Sequence, residues 1–263
     1  MEKPGAVHTH WHHYQQSWEL VEGNVIEEAL ITIYVNGREL ATLMGSPVDQ
    51  DWLALGFLKN EGLIDTLDEV EILWVSKQGC CVDLWLSHPI QEPKRKIITS
   101  GCGGGVTFDD PSVGIEPIRS SLRVEPEQIF NSFNSLQSRD SLYARARGVH
   151  ASGLMDAEQD RLLAVAEDVG RHNSIDKLRG VCLLQEIETQ GRILLCTGRI
   201  SSEMLHKGAK MGCPIIASRT SPTSLSVEMA RAWKITLVGY VRRSRMKVYS
   251  HPERLGFKSP SDL

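Results

Sequence analysis

Several absences narrow the class of this chain. No apolar run in its 263 residues approaches the ~18–20 needed to span a bilayer. The stretch from Met1 to Gln16 is polar and histidine-rich rather than basic and then apolar, so no signal peptide is visible. Neither sign of charge dominates: 29 basic against 33 acidic residues leave −4 with histidine neutral. That balance is poor for a general nucleic-acid binder, although it leaves room for a local basic patch. None of the six cysteines forms a CxxC pair, and their spacing has no zinc-ribbon or finger regularity. There is no Walker A lysine motif, no G-x-S-x-G elbow and no internal repeat. A zinc deaminase needs H-x-E with P-C-x-x-C, and neither His150-Ala151-Ser152 nor Cys213-Pro214 supplies them. A cytoplasmic protein with reduced thiols is the expectation.

What is present is ordinary in bulk. Hydrophobic residues make up 41% and charged residues 24%, too apolar for a disordered chain. The length suits one large domain or two modest ones, with an ample core. Residues 1–20 read as a flexible tail in which His8, His10, His12 and His13 alternate with other residues. Residues 21–120 read as a small α+β domain. It has strands over Ala29–Val35 and Arg38–Leu43 around an Asn36-Gly37 turn, a helix over Asp49–Glu61 with Asp49 as its cap, and strands over Val70–Val75 and Cys81–Leu86. An irregular, proline-bearing stretch over 91–126 marks the junction and contains Ser100-Gly-Cys-Gly-Gly-Gly105.

Residues 121–263 alternate strand and helix. Helix Glu127–Ser138 leads into a glycine-containing loop around Gly148-Val149-His150. Strands at Leu162–Glu167, Ile193–Thr197, Pro214–Ala217 and Ile235–Val241 are separated by helices at Ser174–Glu188, Ser202–Met211 and Thr223–Trp233. That rhythm predicts α/β crossovers and a largely parallel sheet.

Ligands of such sheets gather beyond the carboxyl ends of the strands. Here those ends carry Asp168, Arg171 and His172, then Arg199 with Ser201 and Ser202, then Arg219 with Thr220 and Ser221. After the last strand come Arg242, Arg243, Ser244, Arg245 and Lys247. Helix amino termini beside arginines favour anions, so a phosphate-bearing ligand is indicated, with structural capping as the competing explanation. Cys102 is the second focus. Glycines on both sides allow close backbone approach, and successive N–H groups in such a turn favour the thiolate. A tight turn with a buried cysteine is the alternative. Cys182, Cys196 and Cys213 lie in apolar surroundings and are expected to be structural, and the same default holds for Cys80 and Cys81.

The segment EDVGRHNSIDK, residues 167–177, resembles the signature of the formate dehydrogenase accessory sulfurtransferases, the FdhD family. The resemblance extends to GRISSEM at 198–204, Ser221-Pro222-Thr223, LVGY at 237–240, Val248-Tyr249, His251-Pro252, and earlier to Asn36-Gly37, Pro47, Gly56-Phe57-Leu58 and Glu61-Gly62. It implies a cytidine-deaminase-like α/β sandwich without the zinc site, preceded by the smaller α+β domain. It also implies a sulfur carrier that takes persulfide sulfur from a cysteine desulfurase. The sulfur passes to a molybdenum or tungsten bis-pterin guanine dinucleotide cofactor before insertion into formate dehydrogenase. By the same resemblance Cys102 carries the persulfide, Tyr240, Val241, Arg242, Arg243, Ser244 and Arg245 contact the cofactor, and the assembly is a homodimer.

Two departures stand out. Gly105 occupies the place of the family's second loop cysteine, and Arg147-Gly148 stands where the family has Thr-Gly-Gly before Val-His. One thiolate suffices for a persulfide, so carriage by Cys102 survives the first departure. A cofactor-binding chaperone that moves no sulfur is the competing reading, with a cysteine hydrolase using Cys102 and His150 or His172 as a third.

Overall fold

The computed structural model describes residues 4–77, 79–90, 97–98, 106–108, 114–136 and 141–258. Cys102 lies outside the described residues. The amino terminus is not a tail: β1 (Ala6–Gln15) and β2 (Ser17–Ile26) pair antiparallel from Ala6 opposite Ile26 to Gln15 opposite Ser17. Most of its side chains are exposed on both faces, so the inside–outside alternation that betrays a strand was missing from the sequence. Trp11 instead leans across the hairpin onto Gly23.

The α+β unit comprises β3 (Ala29–Val35), β4 (Arg38–Gly45), α1 (Gln50–Asn60), β5 (Val70–Val75) and β6 (Cys81–Leu86). Its sheet has the order β4-β3-β6-β5, with β3 and β6 parallel and the other pairs antiparallel. Ile31, Ile33, Leu53, Phe57, Leu58, Val82 and Leu84 are fully or almost fully buried in its core. Asp49 precedes α1 but makes no side-chain cap, because its own backbone is left-handed. Two short strands, β7 (Ile97–Ile98) and β8 (Val106–Thr107), pair antiparallel and bracket the stretch that contains Cys102.

The second unit comprises α2 (Pro126–Ser135), α3 (Leu142–Ala146), β9 (His150–Asp156), β10 (Arg161–Asp168), α4 (Arg171–Leu184), β11 (Ile193–Cys196), α5 (Ser202–Lys210), β12 (Ile215–Ser218), α6 (Ser224–Ala232), β13 (Thr236–Arg242) and β14 (Arg245–Ser250). Its sheet has the order β10-β9-β11-β12-β13-β14. Only β11, β12 and β13 run parallel to one another; the pairings that β9, β10 and β14 make are antiparallel, so the sheet is mixed rather than largely parallel. Alternation sends Leu194, Cys196 and Ile216 into the core beneath α4–α6, and Ile193, Leu195, Ile215 and Ala217 into the core shared with α2. Two apolar layers on one sheet explain strands that are buried on both faces.

The two units meet through α1 and α4. A Cβ on Gly56 would stand 1.7 Å from the Asp176 carbonyl oxygen, and one on Gly180 would stand 1.9 Å from that of Trp52. The helices therefore cross backbone to backbone, and both are buried nearly all round.

Candidate ligand site at the carboxyl ends of the central strands

Much of the EDVGRHNSIDK segment holds the two units together. Asp168, fully buried, accepts from Lys177 Nζ at 2.7 Å and the Ser46 N–H at 3.0 Å through Oδ2. Its Oδ1 accepts from the Gly170 N–H at 2.7 Å and Asn173 Nδ2 at 3.0 Å. Lys177 Nζ also donates to the Ser46 carbonyl, and Asn173 Nδ2 to that of Met44, so β10 and α4 are tied to the chain leaving β4. Glu167 accepts the N–H groups of Leu142 and Tyr143 at the start of α3. Asp176 accepts two bonds of 2.6 Å from Lys207 Nζ and one of 2.7 Å from Asn60 Nδ2. Every carboxylate of the segment is thus fastened within the protein, as buried charge demands.

Arg171 and His172 turn elsewhere. A Cβ on Gly198, just past β11, would lie 2.9 Å from Arg171 Cβ and 3.1 Å from His150 Nδ1, so the missing side chain makes room for both at the strand end. Burial, reinforced by the Arg171 charge, holds His150 below the usual histidine range despite Asp168. His172 is 9% exposed, with Nε2 3.2 Å from Glu203 Oε2 and 3.4 Å from Ser201 Oγ. Burial first, then Lys207, Arg171 and His150, push its imidazole down to about 3. It is a neutral ring at physiological pH, and an Nε2–H tautomer would face the Glu203 carboxylate. Ser201 Oγ caps α5 by accepting from the Met204 N–H, as Thr223 Oγ1 caps α6 by accepting from Ser226.

The residues read as cofactor contacts lie one strand further on. Arg242 pairs with Arg245 across a two-residue turn formed by Arg243 and Ser244, and all four are exposed. Tyr240 takes a left-handed backbone at a bulge, donates its N–H to the Thr220 carbonyl, and carries Lys247 Nζ 4.7 Å above its ring. Val241 is 2% exposed and packs in the α2-side core.

Arg242, Arg243 and Val241 line a cleft of about 370 Å³ together with Thr220, Arg219, Phe130, Phe133 and Asn134. Arg219 donates Nη2 to the Phe133 carbonyl at 2.9 Å, and its guanidinium lies 5.7 Å from the Phe133 ring centre. Its buried Nε has no acceptor among the described residues. Three guanidinium groups beside an aromatic wall suit an anionic ligand bearing a planar group. Arg219 stands in a segment that the sequence marked. Phe130, Phe133 and Asn134 were missed, because α2 reads simply as an amphipathic helix 85 or more residues before Arg219.

The three buried cysteines offer little reactivity. Burial pushes the thiols of Cys182 and Cys196 up to about 12 and raises Cys213 as well. Cys80 and Cys81 are half-buried, with sulfurs 3.9 Å apart.

Among known proteins, the model of the FdhD/NarQ family matches residues 26–256. A sulfur carrier protein FdhD of Bacillus subtilis (strain 168) is 33% identical over 260 residues, covering 97% of this chain and 98% of the relative. The protein of that name from Staphylococcus aureus (strain MRSA252) is 37% identical over 237 residues, 88% of either chain. The crystal structure of a candidate formate dehydrogenase accessory protein from Desulfotalea psychrophila superposes with a TM-score of 0.79 at 28% identity, covering 96% of this chain and all of that one. A match across both units and through the signature, the strand ends and the Arg242–Arg245 turn places this chain in the FdhD/NarQ family.

Proposed function

We propose that this protein is a sulfur carrier serving formate dehydrogenase. The observation that carries the reading is family membership across nearly the whole length, among relatives named as sulfur carriers. Cys102 is the carrier in this proposal, since the buried thiols are poor nucleophiles at neutral pH. Its thiolate attacks the sulfane sulfur of a cysteine desulfurase persulfide, the donor cysteine leaves as thiolate, and the protein holds the persulfide. Gly105 denies the loop a second thiol, so the next acceptor is the cofactor rather than an internal disulfide.

The cleft at Arg219, Arg242 and Arg243 supports the second half. Its volume is near the lower end of the ~300–1,000 Å³ usual for small-molecule sites. It suits one nucleotide end of a molybdenum or tungsten bis-pterin guanine dinucleotide, bound as substrate, with arginines on phosphate and Phe133 beside the base. In this proposal the rest of the ligand extends along the strand ends toward Arg171 and His150. The α/β unit is taken to be of the cytidine-deaminase-like class, the working assembly a homodimer and the compartment the cytoplasm. No helix among the described residues is long and apolar enough to cross a membrane.

Cys102→Ala separates carriage from chaperoning. A carrier loses activation of the dehydrogenase while keeping affinity for a guanine nucleotide. A chaperone that moves no sulfur keeps both.

A further inference from the structure

The β7–β8 pair is fastened to the rest of the molecule at Glu61. This residue ends α1 and is 6% exposed. Thr107 Oγ1 shares its proton between Glu61 Oε1 at 3.1 Å and Oε2 at 3.0 Å, and the Phe108 N–H donates to Oε2 at 2.6 Å. Thr107 ends β8, so all these bonds hold the limb by which the chain leaves the Cys102 stretch. Phe108 adds an edge-on contact to Phe57, ring centres 5.7 Å apart, one helical turn before Glu61.

A buried carboxylate is an unusual choice for closing a helix. Burial raises the Glu61 carboxyl, opposed first by the charge of Lys207 and then by the Phe108 N–H. Lys207 is held by Asp176, and its charge also bears on Glu203 and His172 at the amino end of α5. The charge of Lys207 thus bears both on Glu61 and on the groups at the amino end of α5. An apolar residue would end α1 without desolvation cost, but it would hold neither Thr107 nor Phe108.

We propose that Glu61 is a positioning residue for the sulfur-carrying loop: its carboxylate pins the loop's exit limb where the two units meet, so that the loop base keeps a fixed place relative to the cofactor site. The proposal rests on the sulfur-carrier reading with Cys102 as the carrier.

The test uses the full chain with Glu61→Ala, Glu61→Gln and Thr107→Val. Three quantities are followed: persulfide loading of Cys102 by a cysteine desulfurase, delivery measured as dehydrogenase activation, and hydrogen exchange at the Phe108 amide. Glu61→Ala should load normally, deliver about tenfold less or worse, and lose Phe108 protection. Glu61→Gln, which keeps one acceptor oxygen, should restore most of the delivery. A folded Glu61→Ala protein that delivers like the parent, or keeps Phe108 protected, overturns the proposal. Should that variant not fold, Thr107→Val decides, because it removes the donor at nearly constant shape: reduced delivery is expected, and parental delivery is contrary. If Cys102→Ala itself delivers normally, the carrier reading has failed, and Phe108 exchange still reports whether Glu61 holds the limb.

Discussion

The buried α1–α4 junction and the arginine cleft beyond β13 differ in what their polar residues do. At the junction, Asp168, Lys177 and Asn173 are buried and bond to one another and to the chain at the end of β4, while the buried Asp176 is held by Lys207 and Asn60. At the cleft, Arg242 and Arg243 are exposed, and the buried Nε of Arg219 has no acceptor among the described residues. The conspicuous signature is thus mainly architecture, while the less distinctive arginines are the ones to which the proposed function assigns the ligand.

The comparison can be broken most forcefully at Lys177. Lys177→Met leaves Asp168 buried without its cation and should cost about 3–5 kcal/mol, read from urea midpoints. A loss below ~1 kcal/mol would show that the junction is not held by this pair. At the cleft the effect should fall on binding instead. Arg219→Ala is expected to weaken a guanine nucleotide about tenfold or more with little change in melting temperature. Loss of stability without loss of affinity would reverse the assignment of roles.

His172 sharpens the contrast through pH. Its folded pKa lies at about 3, below the ordinary histidine value of 6.5. The unfolded chain therefore takes up the proton first, and stability falls as pH drops from about 6.5 toward about 3, by up to ~1.4 kcal/mol per pH unit. Glu61, Glu167 and Glu203 are raised by burial and act in the opposite sense, so the comparison must be with His172→Gln. That variant should show a flatter decline between pH 6 and 4; parallel curves would contradict the buried neutral imidazole.

The smallest effect is expected at Arg147. Its backbone, φ 59° and ψ −158°, is one that only glycine adopts freely, and glycine is what the family resemblance puts there. Arg147→Gly should gain about 1 kcal/mol, and a loss would mean that stacking of the guanidinium on Tyr143, 4.7 Å from the ring centre, outweighs the strain.

The sequence revealed what hydrophobic pattern and turn chemistry control. Strands β5 and β6 lie over the residues expected, and the three crossover helices α4–α6 are all present. Strand β9 escaped notice because His150-Ala-Ser-Gly-Leu-Met-Asp156 has no β-branched residue; it is a strand because β10 and β11 pair with it on either side. Strand β14 was hidden by its charges, which suit an edge. At the site, the arginines were visible as anion binders because charge is local information. The aromatic wall from α2 was not, since only packing across the sheet brings it to Arg219. Glu61 was noticed as part of a motif, but its bond to Thr107 spans 46 residues and has no local signature.

The central claim is that Cys102 carries sulfur alone, and intact-protein mass spectrometry with peptide mapping tests it most directly. After incubation with a cysteine desulfurase and cysteine, a reducible adduct of about 32 Da, one sulfur atom, should map to Cys102 and vanish in Cys102→Ala. An adduct confined to another cysteine, or none at all beside a demonstrably active donor, would contradict the account.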